Sequence, residues 1–352
     1  MKTNFKNTAA VAAIVVLISA CGGGGGGSSP ATPVGTGQGG GDTAPTGPTG
    51  PVVTPGDLQT SVPAWTYGQS SEQAAYITAF NNFRSQIGLG LLAQSAKLDT
   101  AAQNHLAYVL ANDVNNGGTV NMSAVDPATG RNFFHIESAS NQLFTGVQEL
   151  DRAKAAGYAG TFVGEEGMFG GGKGAELAFS SVTSTIYHRA GLMYQGVRDF
   201  GIAVGNDKSQ TFVIEMGYGK PQSNASDFLG VYPADKQASV GLSTGVELPN
   251  PFPELSTSND DFPTKTAYPV SVVAKEGTRI EVLTFSIAQA GSSTPLSARV
   301  LTSDNDPNRY LGSNIVFLVA NAPLKSNTAY KVVFSGRVNN SLVEKTWSFT
   351  TK

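Results

Sequence analysis

The chain has 352 residues, a formal net charge of −3, only 14% charged residues and a single cysteine. Mild acidity without a basic run excludes a nucleic-acid surface and a polybasic membrane patch. One cysteine excludes an intrachain disulfide, so the folded parts must be held by their cores.

Lys2 and Lys6 form a short basic start, residues 9–19 (AAVAAIVVLIS) are apolar, and small residues Ser19 and Ala20 precede Cys21. That is the layout of a cleavable signal peptide over residues 1–20. The apolar run is too short to cross a bilayer, which takes about 20 residues. The pattern resembles a lipobox, which implies that Cys21 is thioether-linked to diacylglycerol and becomes the mature N-terminus. The implied partner is a membrane and the implied location the cell envelope, facing periplasm or exterior. Gly22 rather than Asp after the cysteine implies the outer membrane in a Gram-negative source. Loss of Lys2 and Lys6 takes the formal charge from −3 to −5.

Residues 21–60 are dominated by Gly, Ser, Pro and Thr, as in GGGGGGSSP and PTGPTGPVVTPG. Such a stretch cannot bury apolar surface and is expected to be a disordered tether. Its r.m.s. reach would be roughly 30–35 Å. The rest of the chain is long enough for two domains, and the pattern changes near Gly219-Lys220 from mixed to strand-rich. The expected domains are therefore 61–220 and 221–352.

In the first, residues 70–87 read as an amphipathic helix. Ser70 and Gln73 suit a capping box, Tyr76, Ile77, Phe80 and Phe83 recur at helical spacing, and Gly88 suits the C-cap. A second helix over 96–112 carries Leu98, Ala101, Ala102, His105 and Val109 on one stripe. Helices are also expected at 147–156 and 175–189, the last closed by His188-Arg189. Strands come next, at 201–204 and 211–217. Helices first and strands last predict an α+β layered fold.

Three polar signals stand out: His135-Ile136-Glu137, Gly164-Glu165-Glu166-Gly167, and His188. His105 shares a stripe with apolar residues and reads as a core or cleft-wall histidine. Two imidazoles and a carboxylate suit Zn²⁺ or another divalent cation. An open position on such a metal would activate water, with Glu137 or Glu166 as base or supporting group. No HExxH helix and no GxSxG elbow is present. Residues 167–173 fit GxxxxGK, but Gly174 stands where Ser or Thr must hold Mg²⁺, so the segment reads as a flexible loop hinged at residues 170–172.

Asn82-Phe83-Arg84, Gly88-Leu89, Leu92, Leu98, Ala102, His105-Leu106-Ala107-Tyr108, His135, Phe144-Thr145-Gly146, Asp151-Arg152-Ala153, Ala156-Gly157-Tyr158, Gly164-Glu165, His188-Arg189 and Phe200-Gly201-Ile202-Ala203 occur in an order that resembles the CAP superfamily. These are the cysteine-rich secretory, antigen 5 and pathogenesis-related proteins. The resemblance covers residues 70–218 and is strongest to the bacterial, cysteine-free branch. It implies an α-β-α sandwich with a cleft holding two His and two Glu, sometimes with a divalent cation. His135 and His188 match the family histidines and Glu165 matches the Glu of its Gly-Glu-Asn motif, where Glu166 replaces Asn. The second family glutamate has no clear counterpart; Glu176 lies on the right helix at a differing spacing.

In the second domain, strands are expected at 270–273, 280–287, 298–301, 315–319, 330–334 and 343–349, with a hairpin turn at Val338-Asn339-Asn340. This predicts an all-β sandwich. Pro323-Leu324, Thr328-Ala329-Tyr330 and the terminal Trp347-Ser348-Phe349-Thr350-Thr351 resemble bacterial Ig-like domains. Asp304-Asn305-Asp306 reads as a turn rather than a Ca²⁺ site. The expected function is a non-enzymatic binding module for a lipid, glycan or peptide. A metal-dependent peptidase-like hydrolase using the same cleft is the alternative, and an adhesin-like module with a vestigial cleft the third reading.

Overall fold

The computed structural model describes residues 53–128 and 130–352. The signal peptide, Cys21 and most of the expected tether lie outside the described residues.

The elements in chain order are α1 (Glu72–Ile87), β1 (Ala93–Gln94), α2 (Ala96–Asn112), α3 (Glu149–Ala155), β2 (Phe162–Phe169), α4 (Ala175–Thr183), α5 (Tyr187–Leu192), β3 (Asp199–Val204) and β4 (Thr211–Tyr218). They are followed by β5 (Leu229–Tyr232), β6 (Gln237–Val240), β7 (Val270–Ala274), β8 (Ile280–Gln289), β9 (Ala298–Leu301), β10 (Ile315–Ala320), β11 (Ala329–Val338) and β12 (Ser341–Thr351).

Helix α1 begins one residue later than the capping pattern suggested. Ser71, not Ser70, adopts the extended cap conformation, and its hydroxyl accepts from Ala74 N at 3.1 Å. Gly88 ends the helix at φ 86°, a left-handed conformation that strains a residue with a side chain and suits glycine. Helix α2 matches the expected bounds and buries the whole predicted stripe, Leu98 to Val109.

The first sheet has strand order β1-β3-β4-β2, with β1 parallel to β3 and the other pairs antiparallel. Successive side chains on a strand point to opposite faces. Phe200, Ile202, Phe212, Ile214 and Met216 pack with α1, α4 and α5. Ala203 and Val213 pack with α2, and Val163 with α2 and α3. The result is the expected α-β-α sandwich. Gly201 lets α2 lie directly on β3, since a Cβ there would sit 2.2 Å from the Leu98 backbone carbon.

Two local readings are corrected. Residues 167–169 continue β2 rather than forming a loop, and the connection to α4 turns on Gly171, Gly172 and Gly174, all at positive φ. The expected helix over 175–189 is broken at 184–186, so His188 sits inside a separate helix, α5. The break has a long-range cause: Glu247 caps the start of α5.

After β4 the chain is all β. Two four-stranded sheets form, β5-β7-β10-β9 and β6-β12-β11-β8. All six expected strands appear, and β5 and β6 complete the two sheets. The β11–β12 hairpin turns at Asn339 and Asn340, with φ 47° and 72°. Asp306 is a turn residue, accepting from the backbone N–H groups of Asn308, Tyr310 and Leu311.

One apolar cluster runs through both parts of the chain. Arg189, fully buried, pins them together. Its Nη1 donates to Pro269 O at 2.5 Å, its Nε donates to Thr183 O at 2.6 Å, and its guanidinium lies 4.9 Å and 4.7 Å from the Tyr232 and Tyr268 ring centres. Phe83 meets Tyr232 edge-on across the same boundary, at 4.8 Å between centroids.

Candidate functional site

Glu165 and Glu166 are neighbours in β2, and strand alternation sends them to opposite faces. Glu165 lies opposite Glu215 of β4, on the face covered by α2 and α3, while Glu166 lies opposite Ile214 on the other face. The sheet therefore divides the predicted residues into two groups.

On the α2/α3 face, Glu165 is the centre. Its Oε1 lies 2.7 Å from His135 Nδ1 and 3.5 Å from His105 Nε2, and its Oε2 accepts from Arg152 Nη2 at 2.5 Å. His135 reaches this point on a short 3₁₀ turn, Phe133–His135, capped by Asn132. His105 projects from α2. Its Nδ1 lies 2.9 Å from Glu137 Oε1 and its Nε2 lies 2.7 Å from Phe134 O, so both ring nitrogens face acceptors. Glu137 also accepts from Thr145 N at 2.6 Å and from Gly146 N at 3.3 Å. All of these carboxylates and imidazoles are at most 1% exposed. Burial opposes ionisation of Glu165, but Arg152, His105 and His135 together hold it well below the usual carboxylate range. Glu215 goes the other way: burial, then the charge on Glu165, pushes it well above that range.

On the α1/α4/α5 face, His188 Nδ1 lies 3.0 Å from Glu247 Oε2 and 3.1 Å from Thr185 Oγ1. Glu247 is 59 residues downstream of His188, in the connection between β6 and β7 of the all-β region. It accepts from Ile186 N at 2.7 Å and Tyr187 N at 3.0 Å, satisfying the orphan donors at the start of α5. That cap from a distant part of the chain is what separates α5 from α4. Glu166 is wholly buried nearby, and neither of its oxygens has a hydrogen-bond partner. Burial pushes its carboxyl up to about 8, with His188 pulling down and Glu247 and Glu165 pushing up. A neutral carboxylic acid is the form that such a place tolerates.

The structure thus brings His135 and Glu165 together and holds His188 elsewhere, against Glu247. Glu137 is saturated by donors rather than free to act as a base. Glu176 is exposed at the start of α4. Among the described residues no group of three or more His, Cys, Asp and Glu is disposed to hold a metal ion. The donor chemistry gives the reason: Arg152 already supplies the positive charge on Glu165, where a cation would have to sit. The expected zinc ligand set of His135, Glu165 and His188 does not fit one ion.

Three participants were not read as site residues from sequence. Glu215 had a signal, a lone acid inside the buried strand TFVIEMGY. Arg152 had only its place in the family pattern. Glu247 had none, because nothing local ties it to His188.

A layered α+β domain with buried His/Glu groups on a four-stranded sheet, followed by an all-β region, defines the class of protein. Residues 77–218 match the model of the cysteine-rich secretory protein family, CAP, so this part of the chain is a CAP domain. Comparison with curated proteins finds no match. Among solved structures, an outer surface protein from Borrelia burgdorferi is similar at 11% identity and a TM-score of 0.32, over 43% of this chain and 96% of that one. Among the described residues no helix is long and apolar enough to cross a membrane.

Proposed function

We propose that the chain is a non-enzymatic CAP-domain binding protein of the cell envelope, anchored through lipidated Cys21, with the all-β part as an Ig-like positioning domain. The ligand classes that suit this setting are lipid, glycan and peptide. The observation that carries the reading is the Arg152–Glu165 pair at 2.5 Å with both side chains fully buried. A carboxylate neutralised in this way holds the fold; it neither binds a catalytic cation nor takes a proton from water. Glu247 is likewise spent on capping α5 and on the His188 imidazole.

The test is elemental analysis and Zn²⁺ calorimetry on the mature protein and on His135→Ala/His188→Ala, with a peptidase screen of the same preparations. The expected result is no stoichiometric zinc and no zinc-dependent turnover. Near-stoichiometric zinc lost in the double variant, together with turnover, would overturn the reading in favour of a metal-dependent hydrolase.

A further inference from the structure

We propose that the seam between α5 and the all-β region is a binding site for an organic ammonium group. This deepens the non-catalytic binding reading and rests on it. The seam holds a cavity of about 320 Å³, a size suited to a small ligand. Its lining includes Tyr187, Tyr194, Tyr310, Glu276, Arg309 and Asn314, drawn from both parts of the chain.

Three tyrosines and one carboxyl are the chemistry that recognises alkylated ammonium, through ring faces and an opposite charge. Tyr187 and Tyr310 stand nearly perpendicular, with ring centres 5.3 Å apart. Tyr187 is fixed by its hydroxyl, which donates to Asp306 and accepts from Asn308 Nδ2. Tyr310 is 37% exposed and forms part of the cavity wall. Glu276 lies close enough to Tyr194 for its charge to raise the tyrosine, after burial and the Tyr218 hydroxyl.

The acid in this lining is Glu276 and its exposed base is Arg309. Glu276 is pushed up to about 7 by burial, with Arg84 pulling it down. Arg84 is not on offer to a ligand anion. Its guanidinium is fully buried and donates to the carbonyls of Gly90, Leu192, Tyr194 and Gln195. Arg309 is exposed, where solvent screens it. An ammonium ion seated in the cavity would share Glu276 with Arg84, whose charge only partly offsets the burial of that carboxyl.

The experiment is calorimetry of the mature full-length protein with choline, and with its uncharged carbon isostere dimethylbutanol, at a pH above 8 so that Glu276 is ionised. Choline is expected to bind about tenfold more tightly than the isostere, the ratio that a single cation–aromatic and charge contact supports. Glu276→Gln and Tyr310→Leu are each expected to weaken choline about five- to tenfold and to leave the isostere unchanged. Equal affinity for the two compounds, or choline binding untouched by Glu276→Gln, would sink the ammonium assignment while the binding reading stands. No choline binding would sink it as well. Zinc-dependent turnover by the same preparation would instead remove the binding reading beneath it.

Discussion

Glu165 and Glu166, neighbours on opposite faces of the CAP sheet, are in opposite electrostatic states. On the α2/α3 face Glu165 is ionised, because Arg152 and two histidines surround it. On the α1/α4/α5 face Glu166, the next residue, is equally buried but has no hydrogen-bond partner and stays protonated up to about 8. Residue type and burial are the same in both cases, so neither decides the charge. The partner does: a guanidinium offsets the cost of removing a carboxylate from water, and a neighbour held by its own carboxylate, as His188 is by Glu247, does so only weakly.

The sharpest way to break this contrast is to remove the guanidinium. Arg152→Met leaves Glu165 as a buried charge without its main partner, and is expected to cost about 3–5 kcal/mol in urea denaturation. The double variant Arg152→Met/Glu165→Gln should cost clearly less than the sum of the two single changes, because the pair acts as a unit. An additive result would mean that the pair is not coupled.

Glu247→Ala comes next. It strips the cap from α5 and leaves His188 without its carboxylate, which should cost about 2 kcal/mol. Hydrogen exchange should accelerate at residues 186–188 before it does elsewhere. Uniform acceleration would mean that Glu247 acts on the whole fold rather than on this helix end.

Glu166→Gln tests the other face through pH. The carboxyl titrates near 8 in the native state against an ordinary value of 4.5. The native state therefore holds a proton that the unfolded chain has lost, and this contribution to stability is full below 4.5 and fades as pH rises through about 8. Glutamine cannot ionise, so the variant should match the wild type near pH 4 and exceed it in stability near pH 8. A pH-independent difference would show that Glu166 is already compensated. The smallest effect is expected at Glu176, the exposed look-alike of the family's second glutamate. Glu176→Ala should change stability by less than about 0.5 kcal/mol.

Much of this architecture was legible in the chain. Helix α2 could be read to the residue, because its apolar stripe is regular and Ser95 caps it. The Asn339-Asn340 turn announced its hairpin through the two residues that tolerate positive φ. Strand β2 was harder: the Gly-Glu-Glu-Gly segment interrupts apolar alternation, so its extended form is set by pairing with β4 rather than by its own pattern. Had it been read as a strand, period-two alternation alone would have placed Glu165 and Glu166 on opposite faces.

The sequence by itself determined the layered α+β domain, the all-β region after it, and which acids and histidines are candidates for a site, because local periodicity and turn chemistry act over a few residues. Only the tertiary structure decided that Arg152 neutralises Glu165, that Glu247 reaches back to break α4 from α5 and hold His188, and that Glu276 and three tyrosines meet at the seam. These choices depend on pairings between residues far apart in the chain, and charge in a buried site is fixed by those pairings rather than by the residue that carries it.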